Sequence, residues 1–265
     1  MLDEFPDQFL GTNLWTSGGP STPYTRSRVT FYRVTGVPTA WFDGVLEARG
    51  AYTNDDLQYQ WYLGLMNQRL AVPTDVTIEL SAREVGELTY EVSVTVGIEP
   101  GGVGKTMRVH TLQLLDYYPT STDDRYRNCV RKDAEQIVVT LAPGESTTLT
   151  PAWGSPGDPG YPYLVLTDES AQDVENVKLC AFAQEDLPNA PAEIYNAGQL
   201  FWPIAGVPGD VDGDGDVDLS DLAALLASYN KCEGDPDYNP AADFNGDGCV
   251  DLTDLATLLG NYPYP

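Results

Sequence analysis

Near the C-terminus, two stretches carry oxygen-bearing side chains at the same intervals. GDVDGDGDVDLSDLAALLASY (209–229) aligns with ADFNGDGCVDLTDLATLLGNY (242–262) at an offset of 33 residues throughout, and a repeat of that period marks a duplicated structural unit. Asp210, Asp212, Asp214, Gly215, Asp218 and Asp221 fall on Asp243, Asn245, Asp247, Gly248, Asp251 and Asp254. This set suits a hard divalent cation. Calcium takes about 6–8 oxygens at about 2.3–2.6 Å, drawn from positions 1, 3, 5, 7, 9 and 12 of a loop whose position 6 is glycine. Positions 1, 3 and 5 are Asp210, Asp212 and Asp214 in one loop and Asp243, Asn245 and Asp247 in the other; position 6 is Gly215 or Gly248. Position 7 gives its backbone carbonyl, so Asp216 or Cys249 can stand there. Position 9, Asp218 or Asp251, acts through water. Position 12, Asp221 or Asp254, brings a two-oxygen carboxylate from the first turn of the next helix. Oxygen-only ligands favour calcium over zinc, and this many carboxylates argue against a mostly hydrated magnesium. Two calcium ions are expected.

The apolar residues that must position these loops repeat as well. Val217, Leu219, Leu222, Leu225, Leu226 and Tyr229 fall on Val250, Leu252, Leu255, Leu258, Leu259 and Tyr262. The Leu-x-x-Leu-x-x-Leu-Leu pattern predicts one amphipathic helix after each loop, too short to be stable alone. Pro203 and Pro208 precede loop one, Pro236 and Pro240 precede loop two, and proline breaks helices, so no helix enters either loop. Position 12 is Asp rather than the Glu of ordinary EF-hands. A loop with a single exiting helix, given twice over residues 209–265, resembles a type I-like dockerin module of paired F-hands. The resemblance implies a small all-α, calcium-folded module that docks onto a cohesin-like partner or cell-surface scaffold. In that family the two residues after position 9 are a Ser/Thr pair that touches cohesin. Here they are Leu219-Ser220 and Leu252-Thr253, the implied partner contacts, although a leucine at the first position can also pack in the module core.

Charge narrows the partners. The chain has 40 Asp and Glu against 14 Lys and Arg, a net charge of −26; residues 209–265 hold 13 of the acids and one lysine. So negative a surface repels nucleic-acid phosphates and anionic lipid, which excludes both as main partners. The single histidine, His110, excludes two-histidine mechanisms such as HExxH metalloproteases. No apolar run reaches the roughly 18–20 residues of a membrane span. The start, Met1-Leu-Asp-Glu-Phe-Pro, shows neither the basic nor the apolar region of a signal peptide. Four cysteines allow three pairings. Their layout favours Cys232–Cys249 in the tail and Cys129–Cys180 in the middle. Cys249 at position 7 points its side chain away from the metal, so a bridge removes no ligand. Disulfides and calcium together point to an extracellular or cell-surface protein; set against the bare start, this leads to the expectation of a truncated or misplaced N-terminus.

The front of the chain reads as mixed α/β. Residues 9–15 suggest a strand. Residues 22–34 suggest a helix capped at Ser21 or Thr22, with Pro23 at its first position. Residues 39–42 suggest a strand, Asp43-Gly44 a hairpin turn, and Asn54 the cap of a helix to about Leu70 with Leu57, Trp61, Leu65 and Met66 on its apolar face. Gly36-Val37-Pro38-Thr39, followed by an aromatic strand and Asp-Gly, resembles the cis-proline loop of a thioredoxin fold. Residues 1–72 are similar to the C-terminal half of such a domain in bacterial secreted thioredoxin-like proteins of the outer-membrane protein type. That family carries its redox Cys-x-x-Cys upstream of the proline; nothing upstream of Pro38 is cysteine, so this chain is expected to perform no thiol–disulfide exchange.

Residues 73–202 read as all-β. Residues 76–81, 88–96, 107–115, 136–141 and 178–183 alternate in polarity, with Gly/Pro turns between them, as in an immunoglobulin-like sandwich of about seven strands. His110, in one of these strands, reads as a packed or surface residue. No GxSxG, P-loop or GxGxxG is present. Carboxylate pairs for glycoside hydrolysis are left open, because their spacing is three-dimensional. Trp153, Tyr161 and Tyr163 read as core, with sugar stacking the alternative.

The expected architecture is multidomain α+β: a partial thioredoxin-like segment (1–72), a β-sandwich (73–202), a linker (203–208) and the dockerin (209–265). The expected function is non-enzymatic, calcium-dependent attachment by a secreted modular protein. One alternative is an accessory component or hydrolase of a polysaccharide-degrading complex, with polysaccharide as a further partner; another is a truncated redox protein.

Overall fold

The computed structural model describes residues 12, 14, 21–118, 126–167, 169–172, 174–201, 209–211 and 217–262. They form mostly antiparallel β-sheet with few helices and a C-terminal pair of loop–helix units. They divide into two compact units: residues up to 81 with those of 92–202, and 82–91 with those after 203.

The first unit opens with helix α1 (Pro23–Phe31), a hairpin of β1 (Thr39–Phe42) and β2 (Leu46–Arg49), and helix α2 (Asp55–Leu70). Strands β3 (Val76–Gly86), β4 (Thr89–Ile98), β5 (Lys105–Tyr118), β6 (Tyr126–Asp133), β7 (Ile137–Leu141), β8 (Ser146–Leu149) and β9 (Leu164–Val165) follow. A short helix α3 (Glu169–Gln172) then leads to β10 (Val177–Glu185) and β11 (Ile194–Phe201). Apart from Thr12 and Leu14, the strand expected over 9–15 lies outside the described residues.

Local chemistry sets the helix ends. Thr22 caps α1: its side chain accepts from Thr25 N (3.1 Å), and Thr25 Oγ1 accepts from Thr22 N (2.9 Å), a reciprocal box with Pro23 in the first turn. The helix stops at Phe31, short of the expected Val34, because Arg33 turns left-handed at φ 51°. The Val37–Pro38 bond is cis. Asp43 and Gly44 both have positive φ (45° and 73°), as a hairpin turn of this hand requires. Asn54 accepts from Leu57 N at 3.0 Å and caps α2, with Asp55 and Asp56 in its first turn and Arg69 in its last. Met66 is buried against Phe42 and Ala48, with Trp61 and Leu65 beside it. Leu57, expected on that face, is instead 56% exposed.

The larger sheet is centred on β5. It pairs with β10 from Met107↔Glu185 to Leu115↔Val177, and its other edge is shared by β7 and β6. β11 lies beyond β10. The smaller sheet has the order β3-β4-β8, with β9 also on β4. Val76, Val94, Val96 and Ile98 of the smaller sheet meet Met107, Val109, Ala181 and Ala183 of the larger. Each fully buried valine or leucine contributes about 1.5–3 kcal/mol. The opposite face of the larger sheet carries Leu112, Leu114, Val130, Cys180 and Phe182, and Tyr24 of α1 covers it. β10 is therefore buried on both faces from Val177 to Gln184, although its sequence reads as alternating.

His110 lies under α1. It is fully buried, stacked on Phe182 (centroids 4.6 Å apart), with Nδ1 3.2 Å from Tyr24 Oη. Burial, then the Arg28 and Arg108 charges, hold its imidazole well below the ordinary value. It is a packing residue. Trp153 is buried as expected, whereas Tyr161 and Tyr163 are 40% and 37% exposed.

The Cys129–Cys180 bridge is not formed. Cys129 pairs across from Leu115 and Cys180 from Leu112, on opposite sides of β5. Three residues along a strand reverse the face, so the thiols point to different sides of the sheet. Two strand spacings, about 10 Å, also separate them, beyond disulfide reach of about 7 Å. Burial pushes the Cys180 thiol up to about 12, which makes it unreactive.

Candidate metal and docking site

The second unit contains helices α4 (Leu219–Ala227) and α5 (Leu252–Gly260) and a two-stranded ladder of β12 (Lys231–Cys232) and β13 (Cys249–Val250). No α-helix enters loop two; a 3₁₀ turn, Pro240–Ala242, precedes it. The core is Val211, Val217, Leu225, Ala242, Val250 and Leu258, in which Val217/Val250 and Leu225/Leu258 are repeat equivalents.

Positions 9 and 12 have the same geometry in both units. Asp218 and Asp251 cap α4 and α5, accepting from Ser220 N (2.6 Å) and Thr253 N (2.7 Å). Asp221 and Asp254 complete each capping box from the third helical position. Asp221 Oδ2 accepts from Asp218 N (2.8 Å) and its Oδ1 from Val211 N (2.7 Å). Asp254 does the same with Asp251 N (2.8 Å) and Phe244 N (2.8 Å). Both carboxylates are fully buried. Each ties the start of its loop to the start of its helix.

Loop two is described throughout. Asp243 Oδ1 accepts from Gly246 N (2.8 Å) and Asp247 N (3.2 Å), and Oδ2 from Gly248 N (2.9 Å) and Tyr238 Oη (2.8 Å). Asn245 Oδ1 accepts from Asp247 N (2.9 Å) and Asp247 Oδ1 from Cys249 N (3.0 Å). Partial burial opposes ionisation of Asp243, but the Tyr238 hydroxyl and these amides outweigh it and hold its carboxyl below the usual range. Gly248 has φ 89°, the left-handed conformation the sharp turn needs. In loop one, Asp210, Asp218 and Asp221 are described, whereas Asp212, Asp214, Gly215 and Asp216 lie outside the described residues.

Among the described residues no three His, Cys, Asp or Glu side chains gather as a ready-made ligand shell; in loop two the carboxylates are instead turned onto loop amides. The donors fit calcium in kind. All are hard oxygens, and the one cysteine at a ligand position is tied up in the Cys232–Cys249 disulfide, with Cα atoms 4.0 Å apart across the β12–β13 ladder.

The leucines at position 10 do not pack in the core. Leu219 and Leu252 are 68% and 67% exposed, which overturns the core alternative. Leu226 and Leu259, seven residues further along each helix, are also exposed, and that spacing places them on the same helical face. Tyr238 carried no repeat signal, because the residue 33 positions earlier is Ala205.

Two loop–helix units joined by a repeated core, with oxygen donors at calcium-loop spacing, define a paired F-hand module. Residues 208–261 match the Dockerin type I domain family: the chain carries a C-terminal type I dockerin module. Dockerins are calcium-binding attachment modules of extracellular and cell-surface proteins, and their partner is a cohesin. No curated protein matches the chain significantly. Among solved structures, HBP35 of Porphyromonas gingivalis is similar at 15% identity and TM-score 0.46, covering 66% of this chain and 55% of its own. A domain of the outer membrane lipoprotein Omp28 from Porphyromonas gingivalis is similar at 16% identity and TM-score 0.32, covering 48% and 88%. DesR, a beta-glucosidase from Streptomyces venezuelae, is similar at 14% identity and TM-score 0.26, covering 54% and 18%. At these scores the likenesses establish no shared fold. No helix among the described residues is long and apolar enough to cross a membrane.

Proposed function

We propose that this is a secreted or cell-surface modular protein whose dockerin tail, folded around two calcium ions, attaches it to a cohesin-like partner or scaffold. One ion is held by Asp210, Asp212, Asp214, Asp218 and Asp221 with the Asp216 carbonyl. The other is held by Asp243, Asn245, Asp247, Asp251 and Asp254 with the Cys249 carbonyl. Bound calcium neutralises carboxylates that otherwise repel one another and so fixes each loop on its helix. The partner is met by Leu219 and Ser220 on one helix and Leu252 and Thr253 on the other, extended by Leu226 and Leu259.

The observation that carries this reading is the pair of leucines left 68% and 67% exposed at equivalent points of two duplicated helices. Uncovered leucines on a small acidic module suit a surface that a partner covers. For the body, the order of helix, Pro38 turn, hairpin and helix supports a thioredoxin-like segment, and two antiparallel sheets packed face to face support an immunoglobulin-like sandwich.

The test uses the full chain as bait on extracts of its native cell envelope, in calcium and then in EDTA. Capture of a cohesin-bearing protein in calcium only, weakened at least tenfold by the double substitution Leu219→Asp/Leu252→Asp, is the expected result. Equal capture in EDTA, or capture indifferent to both leucines, overturns the proposal.

A further inference from the structure

Asn245 is the one asparagine of the chain that is followed by glycine. That dipeptide is chemically labile. The Gly246 backbone nitrogen can attack Cγ of Asn245: an N–Cγ bond forms, the Cγ–Nδ2 bond breaks, and the Gly246 amide proton leaves with Nδ2 as ammonia. Water then opens the cyclic imide. Opening at one carbonyl gives aspartate; opening at the other gives isoaspartate, in which the main chain runs through the side chain and gains a methylene. Glycine permits the ring closure because no Cβ crowds it. Attack also requires the reacting atoms to come within about 3–3.5 Å in the right orientation.

Both residues are exposed, so water has access. Their restraint is the hydrogen bonding of loop two itself. Gly246 N donates to Asp243 Oδ1 at 2.8 Å. The Asn245 amide is held at both ends by Asp247: its Oδ1 accepts from Asp247 N (2.9 Å) and its Nδ2 donates to Asp247 Oδ2 (3.0 Å). Asn245 N donates to Asp254 Oδ1 at 3.4 Å, and Gly246 is left-handed at φ 68°. Ring closure therefore needs the amide to leave Asp247 and turn its Cγ onto a nitrogen that is engaged with Asp243. The three carboxylates that pin the pair are expected ligands of one ion, and Asn245 is the fourth side chain of that set.

Resting on the calcium reading above, we infer that Asn245 is a deamidation site gated by loop two: the calcium-closed loop protects it, and the opened loop converts it to aspartate or isoaspartate. An ion held by Asp243, Asn245, Asp247 and Asp254 keeps the restraints in place. Without it the carboxylates repel one another, and local opening frees the Asn245–Gly246 pair. Aspartate gives position 3 the residue type of Asp212 in loop one. Isoaspartate displaces Asp247 from position 5 and so cripples the site. The modification marks modules that have spent time without calcium.

Peptide mass spectrometry of the full-length protein, aged at neutral pH in calcium, in EDTA and in urea, tests this. Conversion at Asn245 should be about tenfold or more slower in calcium than in urea, with EDTA close to urea. Gly246→Ala should slow conversion severalfold in urea, where the loop is absent, as the imide route requires. Protein aged in EDTA and returned to calcium should bind less of the ion by calorimetry, in proportion to its isoaspartate, whereas freshly stripped protein binds in full. Conversion in EDTA as slow as in calcium, or conversion in calcium as fast as in urea while calorimetry shows the ion bound, overturns the inference and leaves the calcium reading standing. Absence of any calcium heat instead overturns the calcium reading, and the gate with it.

Discussion

His110 and the position-12 aspartates are all buried, in different polar surroundings. Asp221 and Asp254 each receive backbone N–H donors on both oxygens. Among the described residues His110 Nε2 has no hydrogen-bond partner, and burial, with Arg28 and Arg108 nearby, keeps the ring neutral. In the unfolded chain a histidine takes up a proton near pH 6.5, about its unperturbed value, and the folded state refuses it. The stability from neutral His110 is therefore fully present above that pH and is lost as pH falls through it toward the depressed folded value. Urea titrations between pH 7.5 and 5 should show this loss in the unaltered protein and a flatter profile for His110→Gln; parallel profiles for the two proteins count against it. The residue type was legible in the sequence as a strand histidine, but its protonation state was not, because that depends first on burial and then on Arg28, 82 positions away in the chain.

Among the elements, those with local signals appeared where the sequence placed them. The α1 and α2 caps, the β1–β2 hairpin and helices α4 and α5 rest on residues within a few positions of one another. The β1–β2 turn also has a long-range role: Asp43 and Gly44 carbonyls accept from Ile194 N (2.8 Å) and Ala192 N (3.1 Å). A Cβ at Gly44 would collide with the Ala192 carbonyl oxygen. Gly44→Ala combines that collision with a φ of 73° and should cost more than about 1 kcal/mol. Chemical denaturation measures it, and an unchanged midpoint would show that the turn relaxes freely. Periodicity misassigned Leu57, because it identifies a helical face without saying whether anything covers that face.

In the whole molecule, calcium should act on one unit only. Every expected ligand lies between Asp210 and Asp254, and the sheet core of the first unit holds none of them. Calcium at 1,000 times its dissociation constant adds about 4 kcal/mol per site. Scanning calorimetry should then show two transitions, one rising by many degrees between EDTA and millimolar calcium while the other moves little. A single transition, or two that shift together, contradicts independent units. The acidity concentrated in the tail makes the calcium-free module self-repelling, so helical signal should fall in EDTA as α4 and α5 lose their anchor.

The amino-acid sequence by itself determined the dockerin module: the repeat offset, ligand types, glycines, caps and Cys232–Cys249 pairing are all short-range, so their geometry follows from spacing along the chain. The tertiary structure alone decided that Cys129 and Cys180 face opposite sides of a sheet, that α1 seals the second face of β5 and β10, that the position-10 leucines stand uncovered, and that Tyr238 reaches Asp243. Each depends on which surfaces meet after folding. Spacing in sequence fixes a face of a helix or strand, whereas only the packed neighbours fix whether that face is core, partner surface or support for a metal loop.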